Sequence, residues 1–87
     1  MPRVFIPAQL REMTAGRAEV EAAGATVREI VETLDAAFPG IKGRLCKEGE
    51  ISPALQVSID GILSRRGLDA KVLPSSEVHF LPVFGGG

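Results

Sequence analysis

The spacing of apolar residues switches between a period of two and a period near 3.6 along the chain, and each switch marks an element. Over residues 3–8, Val4 and Ile6 fall on one side and Phe5 and Pro7 on the other, which predicts a first strand. Gly16 within residues 14–17 predicts a turn, with residues 10–13 in the connection. Ala18, Val20 and Ala22 then alternate with Glu19 and Glu21, predicting the second arm of a hairpin. Thr26 and Glu29 have the spacing of a capping box, in which the hydroxyl and the carboxylate satisfy free amides at a helix start. Val27, Ile30, Val31, Leu34 and Phe38 follow at helical spacing, with Arg28, Glu32 and Asp35 pointing away. Pro39 and Gly40 end that helix. Residues 41–53 carry glycine, proline and mixed charge and read as a long ordered loop.

The second half returns to period two. Leu55, Val57 and Ile59 alternate with Gln56, Ser58 and Asp60, and Asp60-Gly61 is a strong turn signal. Residues 62–64 read as a short strand before an Arg65-Arg66-Gly67 turn, with Leu68, Val72 and Leu73 as apolar cover under the next connection. A final strand over residues 77–84 places Val78 and Phe80 on one face and His79, Leu81 and Val83 on the other. The order is ββαβ(β)β, and a single helix with one apolar stripe must lie across one face of a sheet. The expected fold is therefore α+β: a ubiquitin-like β-grasp domain over residues 1–84, with a mixed sheet of four to five strands and one main helix on one face. Val4, Ile6, Val20, Ile30, Leu34, Leu55, Val57, Val78 and Phe80 form the expected core.

Composition narrows the chemistry. The 87 residues suffice for one small core, and 45% apolar against 24% charged residues fits a folded domain. A net charge of -1 and a pI near 5.8 leave no nucleic-acid footprint, because the cations Lys42, Arg44 and Lys47 are diluted by Glu48 and Glu50. No apolar run approaches the roughly 20 residues that span a bilayer, and no charged leader precedes a signal-like stretch, so no membrane partner and a cytoplasmic location are expected. Cys46 stands alone, which excludes an internal disulfide and a thiolate metal cluster. It also lacks a paired base. His79 has no second histidine to share a metal, and Ser75 and Ser76 have no general base in reach. No side chain qualifies as catalytic.

What remains is the C-terminus, Gly85-Gly86-Gly87, expected as a flexible tail over residues 85–87. A terminal glycine acid is the least hindered carboxylate a ribosomal chain presents. From Val83 to Gly87 an extended chain reaches roughly 17 Å, the depth of an enzyme cleft. A frayed terminus or a cloning scar would look the same by composition.

Order and position of several short motifs go further. Ile6-Pro7-Ala8-Gln9-Leu10-Arg11, Thr26-Val27 at the helix start, Phe38-Pro39-Gly40 at its end and Glu77-Val78-His79-Phe80-Leu81-Pro82 before the glycines together resemble the MoaD/ThiS family of ubiquitin-like sulfur carriers. The resemblance covers nearly the whole chain. It implies that Gly87 is adenylated by an E1-like adenylyltransferase using MgATP and converted to a thiocarboxylate, with Gly86 its partner and Gly85 at the position before the pair. The carrier itself binds no cofactor and is not an enzyme; ATP and Mg belong to the partner. The sulfur acceptor would be a cysteine synthase or the large subunit of molybdopterin synthase, with the cysteine branch slightly favoured, a thiamine branch further off, and a ubiquitin-like protein modifier or a non-covalent interaction module as alternatives. Leu73-Pro74-Ser75-Ser76 departs from the acidic Gly-Asp turn that often precedes the last strand in the family.

Apolar residues on the face turned away from the helix mark where a partner would dock. Phe5, Pro7 and Leu81 fall there, Leu63 joins them from the short strand, and Phe84 stands at the root of the tail.

Overall fold

The computed structural model describes residues 1–83. The expected strand over residues 77–84 forms as β7 (Glu77–Pro82), and it lies at the centre of the molecule. It runs parallel to β1 (Arg3–Phe5), with Val4 opposite Val78 and Phe5 opposite His79. On its other side it is antiparallel to β5 (Leu55–Ile59), with Val57 opposite Phe80 and Leu55 opposite Pro82. The edges are β2 (Glu19–Glu21), paired with β1, and β6 (Ile62–Leu63), paired with β5. The five-stranded sheet therefore has the order β2-β1-β7-β5-β6.

Helix α1 (Val27–Ala37) starts as its capping box dictates. The Glu29 amide donates to Thr26 Oγ1 at 3.2 Å, and Glu29 Oε1 accepts from the Ala25 amide at 2.9 Å. Its buried stripe of Val27, Ile30, Val31 and Leu34 packs on one face of the sheet. Every residue expected in the core is buried, from Val4 and Ile30 at 0% exposure to Leu55 at 8%. The architecture is the β-grasp.

Three expectations need correction. The first strand is shorter than residues 3–8, because Ile6 and Pro7 leave the sheet and residues Ala8–Thr14 wind into a 3-10 helix. Leu10 and Thr14 are both buried along it, a helical spacing hidden among polar neighbours, and the Leu10 amide donates to the Pro7 carbonyl at 2.9 Å. Residues 41–53 are not a loop. They hold a short helix α2 (Ile41–Leu45), whose Ile41 and Leu45 are fully buried one turn apart, and a hairpin of β3 (Cys46–Lys47) and β4 (Glu50–Ile51). Glu48 and Gly49 both take positive φ, 54° and 79°, as Asp60 and Gly61 do at 52° and 85° in the hairpin β5–β6. Two successive positive φ values define the tight turn that matches strand twist, and glycine adopts the second one freely. Leu73, finally, covers nothing: it is 64% exposed, while Leu68 and Val72 are buried.

A polar clasp holds the start of β7. Asp60 Oδ1 accepts from the Glu77 amide at 2.9 Å, and Ser76 Oγ donates to Asp60 Oδ2 at 3.0 Å while accepting from the Leu73 amide at 2.9 Å. The Pro74-Ser75-Ser76 connection is thereby tied to the Asp60-Gly61 turn. Removing the Ser76 hydroxyl leaves the Leu73 amide without its partner, so Ser76→Ala should cost about 1–3 kcal/mol of stability by urea unfolding.

Gly24 marks a close approach before α1. A β-carbon there would stand 2.8 Å from the backbone nitrogen of Ile30, which cannot move without unwinding the helix start. Gly24→Ala should destabilise the domain by about 1–3 kcal/mol, read as a lower urea midpoint with unchanged slope.

Candidate functional site

Strand β7 ends at Pro82, five residues before Gly87, so its last hydrogen bonds set where the tail begins. The Val83 amide donates to the Ala54 carbonyl at 2.9 Å, extending the β5 ladder past the strand's end. Amides alternate sides along a strand, so the amide that Pro82 lacks would have pointed toward β1. By then β1 has already ended, its Phe5 opposite His79. Proline is thus tolerated in a central strand because its missing donor falls where no neighbour needs it. Phe84, Gly85, Gly86 and Gly87 lie outside the described residues.

The register fixes which side chains share the face opposite α1. Glu19, Phe5, His79, Ser58 and Leu63 form one row across the sheet, with Leu81 beside Gln56 in the next. Phe5 and His79 stack with ring centroids 4.1 Å apart and planes 1° from parallel. The Arg3 guanidinium carbon lies 5.7 Å from the centre of the Phe5 ring, while its nitrogens pair with Glu19 at 3.2 Å and with Glu77. Both carboxylates raise the Arg3 pKa, Glu77 more than Glu19. All three groups are about half exposed, so this bridge orients the face more than it stabilises the fold.

A groove of about 600 Å³ opens beside the stack at the root of the tail. Phe5, Pro7, Gln9, Arg11, His79 and Leu81 line it. Its walls are two elements: the open face of β7 and the 3-10 helix that begins after Pro7. Arg11 is held against the groove by its Nε, which donates to the Ile6 carbonyl at 3.1 Å. Among the described residues Arg11 is the one charged group of the lining, so the groove is apolar with a cationic rim.

Of the expected docking residues, Phe5, Pro7 and Leu81 come together here. Pro7 is not an open-face strand residue as expected: it is buried outside the strand and shapes the groove from the side. Leu63 does lie on the open face and is 57% exposed, but it stands at the β6 edge, apart from the groove. Gln9, Arg11 and His79 were not expected at the site. Strand alternation already placed His79 on this face; Gln9 and Arg11 arrive only because residues 8–14 coil back beside β7.

Ser76 is committed to the clasp described above and is buried. Among the described residues no group of three or more metal-ligating side chains occurs, and no helix is long and apolar enough to cross a membrane. Cys46 does not line this groove; it lies in a second cavity of about 640 Å³ beside α1 that is also lined by Glu32, Asp35 and Lys42. Burial pushes its thiol above the ordinary cysteine value, outweighing the opposite pull of Lys42.

With the fold and groove in view, comparison places the chain among ubiquitin-like sulfur carriers. The chain belongs to the ThiS family, whose model matches residues 4–87. A chain in the crystal structure of the Amycolatopsis orientalis BexX/CysO complex is 37% identical, with a TM-score of 0.92 over 100% of both chains. Mycobacterium tuberculosis CysO is 27% identical, with a TM-score of 0.90 over 97% of this chain and 100% of that one. The small archaeal modifier protein 1 of Methanosarcina acetivorans is 26% identical, with a TM-score of 0.81 over 99% and 95%. No curated protein sequence matches the chain.

A raised thiol pKa means less thiolate at a given pH. Iodoacetamide should therefore alkylate Cys46 in the folded protein more slowly at pH 8 than a free cysteine peptide, with the pH midpoint of the rate shifted upward. A midpoint at or below the ordinary value would identify an activated thiol instead.

Proposed function

We propose that the Gly87 carboxylate is the reacting group, adenylated by an E1-like enzyme and then converted to a thiocarboxylate that donates sulfur in biosynthesis. The observation that carries this reading is the anchoring of β7 up to Val83, which holds the root of a four-residue glycine-ended tail beside an apolar groove. A rigid root leading to residues without side chains suits delivery of one carboxylate into a deep partner site, since the docking face is in place before the partner arrives.

Chemical necessity assigns the roles. A carboxylate oxygen is a poor leaving group, so it first attacks the α-phosphorus of MgATP, and pyrophosphate departs. A sulfur nucleophile then adds to the acyl-adenylate, and AMP leaves. This chain supplies the acid and the docking surface; the partner holds ATP, Mg and the catalytic groups. The chain itself is a co-substrate and not an enzyme.

The cysteine branch is slightly favoured. Ile6-Pro7, Leu10-Arg11 and Leu81-Pro82 resemble carriers for cysteine biosynthesis, and the likeness to CysO chains from two organisms points the same way. That one of those relatives is in complex with BexX supports docking of such a chain on a second protein. The acceptor here would be a cysteine synthase, with the molybdopterin synthase large subunit next. Likeness to a small archaeal modifier protein favours one second reading, in which the same activated glycine forms isopeptides with lysines.

Intact mass spectrometry after incubation with the adenylyltransferase, MgATP and a sulfur donor separates these readings. A gain equal to the exchange of oxygen for sulfur at Gly87 is expected; a ladder of conjugates on other proteins would select the modifier reading, and an unchanged mass would refute both. Deleting Gly87 should abolish the modification without moving Tm. Leu81→Ala should raise the KM for the carrier in ATP-pyrophosphate exchange roughly tenfold, as loss of about 1–2 kcal/mol of apolar contact predicts, and leave kcat near its original value.

A further inference from the structure

His79 combines two features that pull against each other. Its ring is clamped against Phe5, 4.1 Å between centroids and 1° from coplanar. Yet its Nδ1 is buried and has no hydrogen-bond partner, the one such side-chain nitrogen or oxygen among the described residues. Ser58, opposite in the register, is itself buried and makes no bond to that nitrogen. An unpaired buried polar atom costs stability, and phenylalanine would fill the same stack without it. The fold keeps a destabilising nitrogen beside the root of the reactive tail.

A neutral imidazole carries one N–H. On Nδ1 that hydrogen would be a buried orphan donor, the less tolerated of the two unpaired states. It therefore resides on Nε2, on a half-buried ring that lines the groove with Phe5, Pro7 and Leu81. We infer that His79 is a specificity-determining residue of the carrier: its Nε2–H donates to an oxygen acceptor, a carbonyl or carboxylate, that the activating enzyme presents as it seats in the groove. Among the described residues no carboxylate lines the groove to compete for that hydrogen, and the stack fixes its direction before the partner arrives. Arg11 on the same rim reinforces a preference for an oxygen-rich partner surface. This rests on the groove being the docking face proposed above.

Two measurements test it. On the uniformly 15N-labelled full chain at pH 7.5, long-range 1H–15N correlation should show His79 as the Nε2–H tautomer; the Nδ1–H pattern would overturn the inference. In ATP-pyrophosphate exchange with the E1-like adenylyltransferase of the same genome, His79→Phe keeps the stack and removes the donor. It should raise KM about tenfold with kcat retained, while Tm rises by several degrees, about 4–8 °C for a domain this size. His79→Gln restores a donor near the Nε2 position and should bring KM back to within about threefold of the original, roughly half a tenfold step in free energy. If Leu81→Ala raises KM but His79→Phe does not, the role of His79 is refuted and the docking face stands. If neither raises KM, the docking face itself is wrong.

Discussion

Insertion of the last strand between the first and β5 is the constraint on which the rest depends. The final third of the chain must return across the sheet and pair with β1 in parallel and β5 in antiparallel fashion. Parallel pairing demands a long crossover, and α1, α2 and the small hairpin β3–β4 are that crossover's content. Their apolar sides bury against the one sheet face that β7 completes. The same strand is hydrogen-bonded onward as far as Val83, so folding energy fixes the root that precedes the last four residues. Pro82 fits this position only because β1 has stopped by the time it arrives.

The two faces of β7 divide the labour. Val78 and Phe80 are essentially fully buried and hold the core together, while His79 and Leu81 turn the other way toward the groove. The polar groups near the strand's start, Asp60, Ser76 and Glu77, are spent on local hydrogen bonds and on the Arg3 bridge. His79, two residues after Glu77, differs from them: its Nδ1 has no partner, and its ring lines the groove and not the core. Cys46, buried enough to raise its thiol pKa, lies outside the groove lining.

Much of this was legible in the residues. The α1 stripe, its capping box, the alternation in β5 and β7 and the Asp60-Gly61 turn are local signals, each readable within a few residues. Family likeness rested on motifs that the fold then explains: Leu10 is buried in the 3-10 helix and Arg11 lies at the groove. The segment 41–53 misread because its helix is too short to show a period and its charges lie on the exposed side of only two anchors, Ile41 and Leu45. Pro7 misread because alternation assumes that a strand continues, and nothing local announced that β1 stops at Phe5.

By itself the sequence determined the elements with strong periodicity and the identity of the buried face of each. Those properties follow from the order of residues along one strand or one helix turn. Only the tertiary structure decided that Pro7 and the 3-10 helix wall a groove beside β7, that Leu63 stands apart from it, and that the stack on Phe5 leaves His79 Nδ1 without a partner. Each of these depends on which distant segments become neighbours, and burial of a nitrogen is a property of everything packed around it.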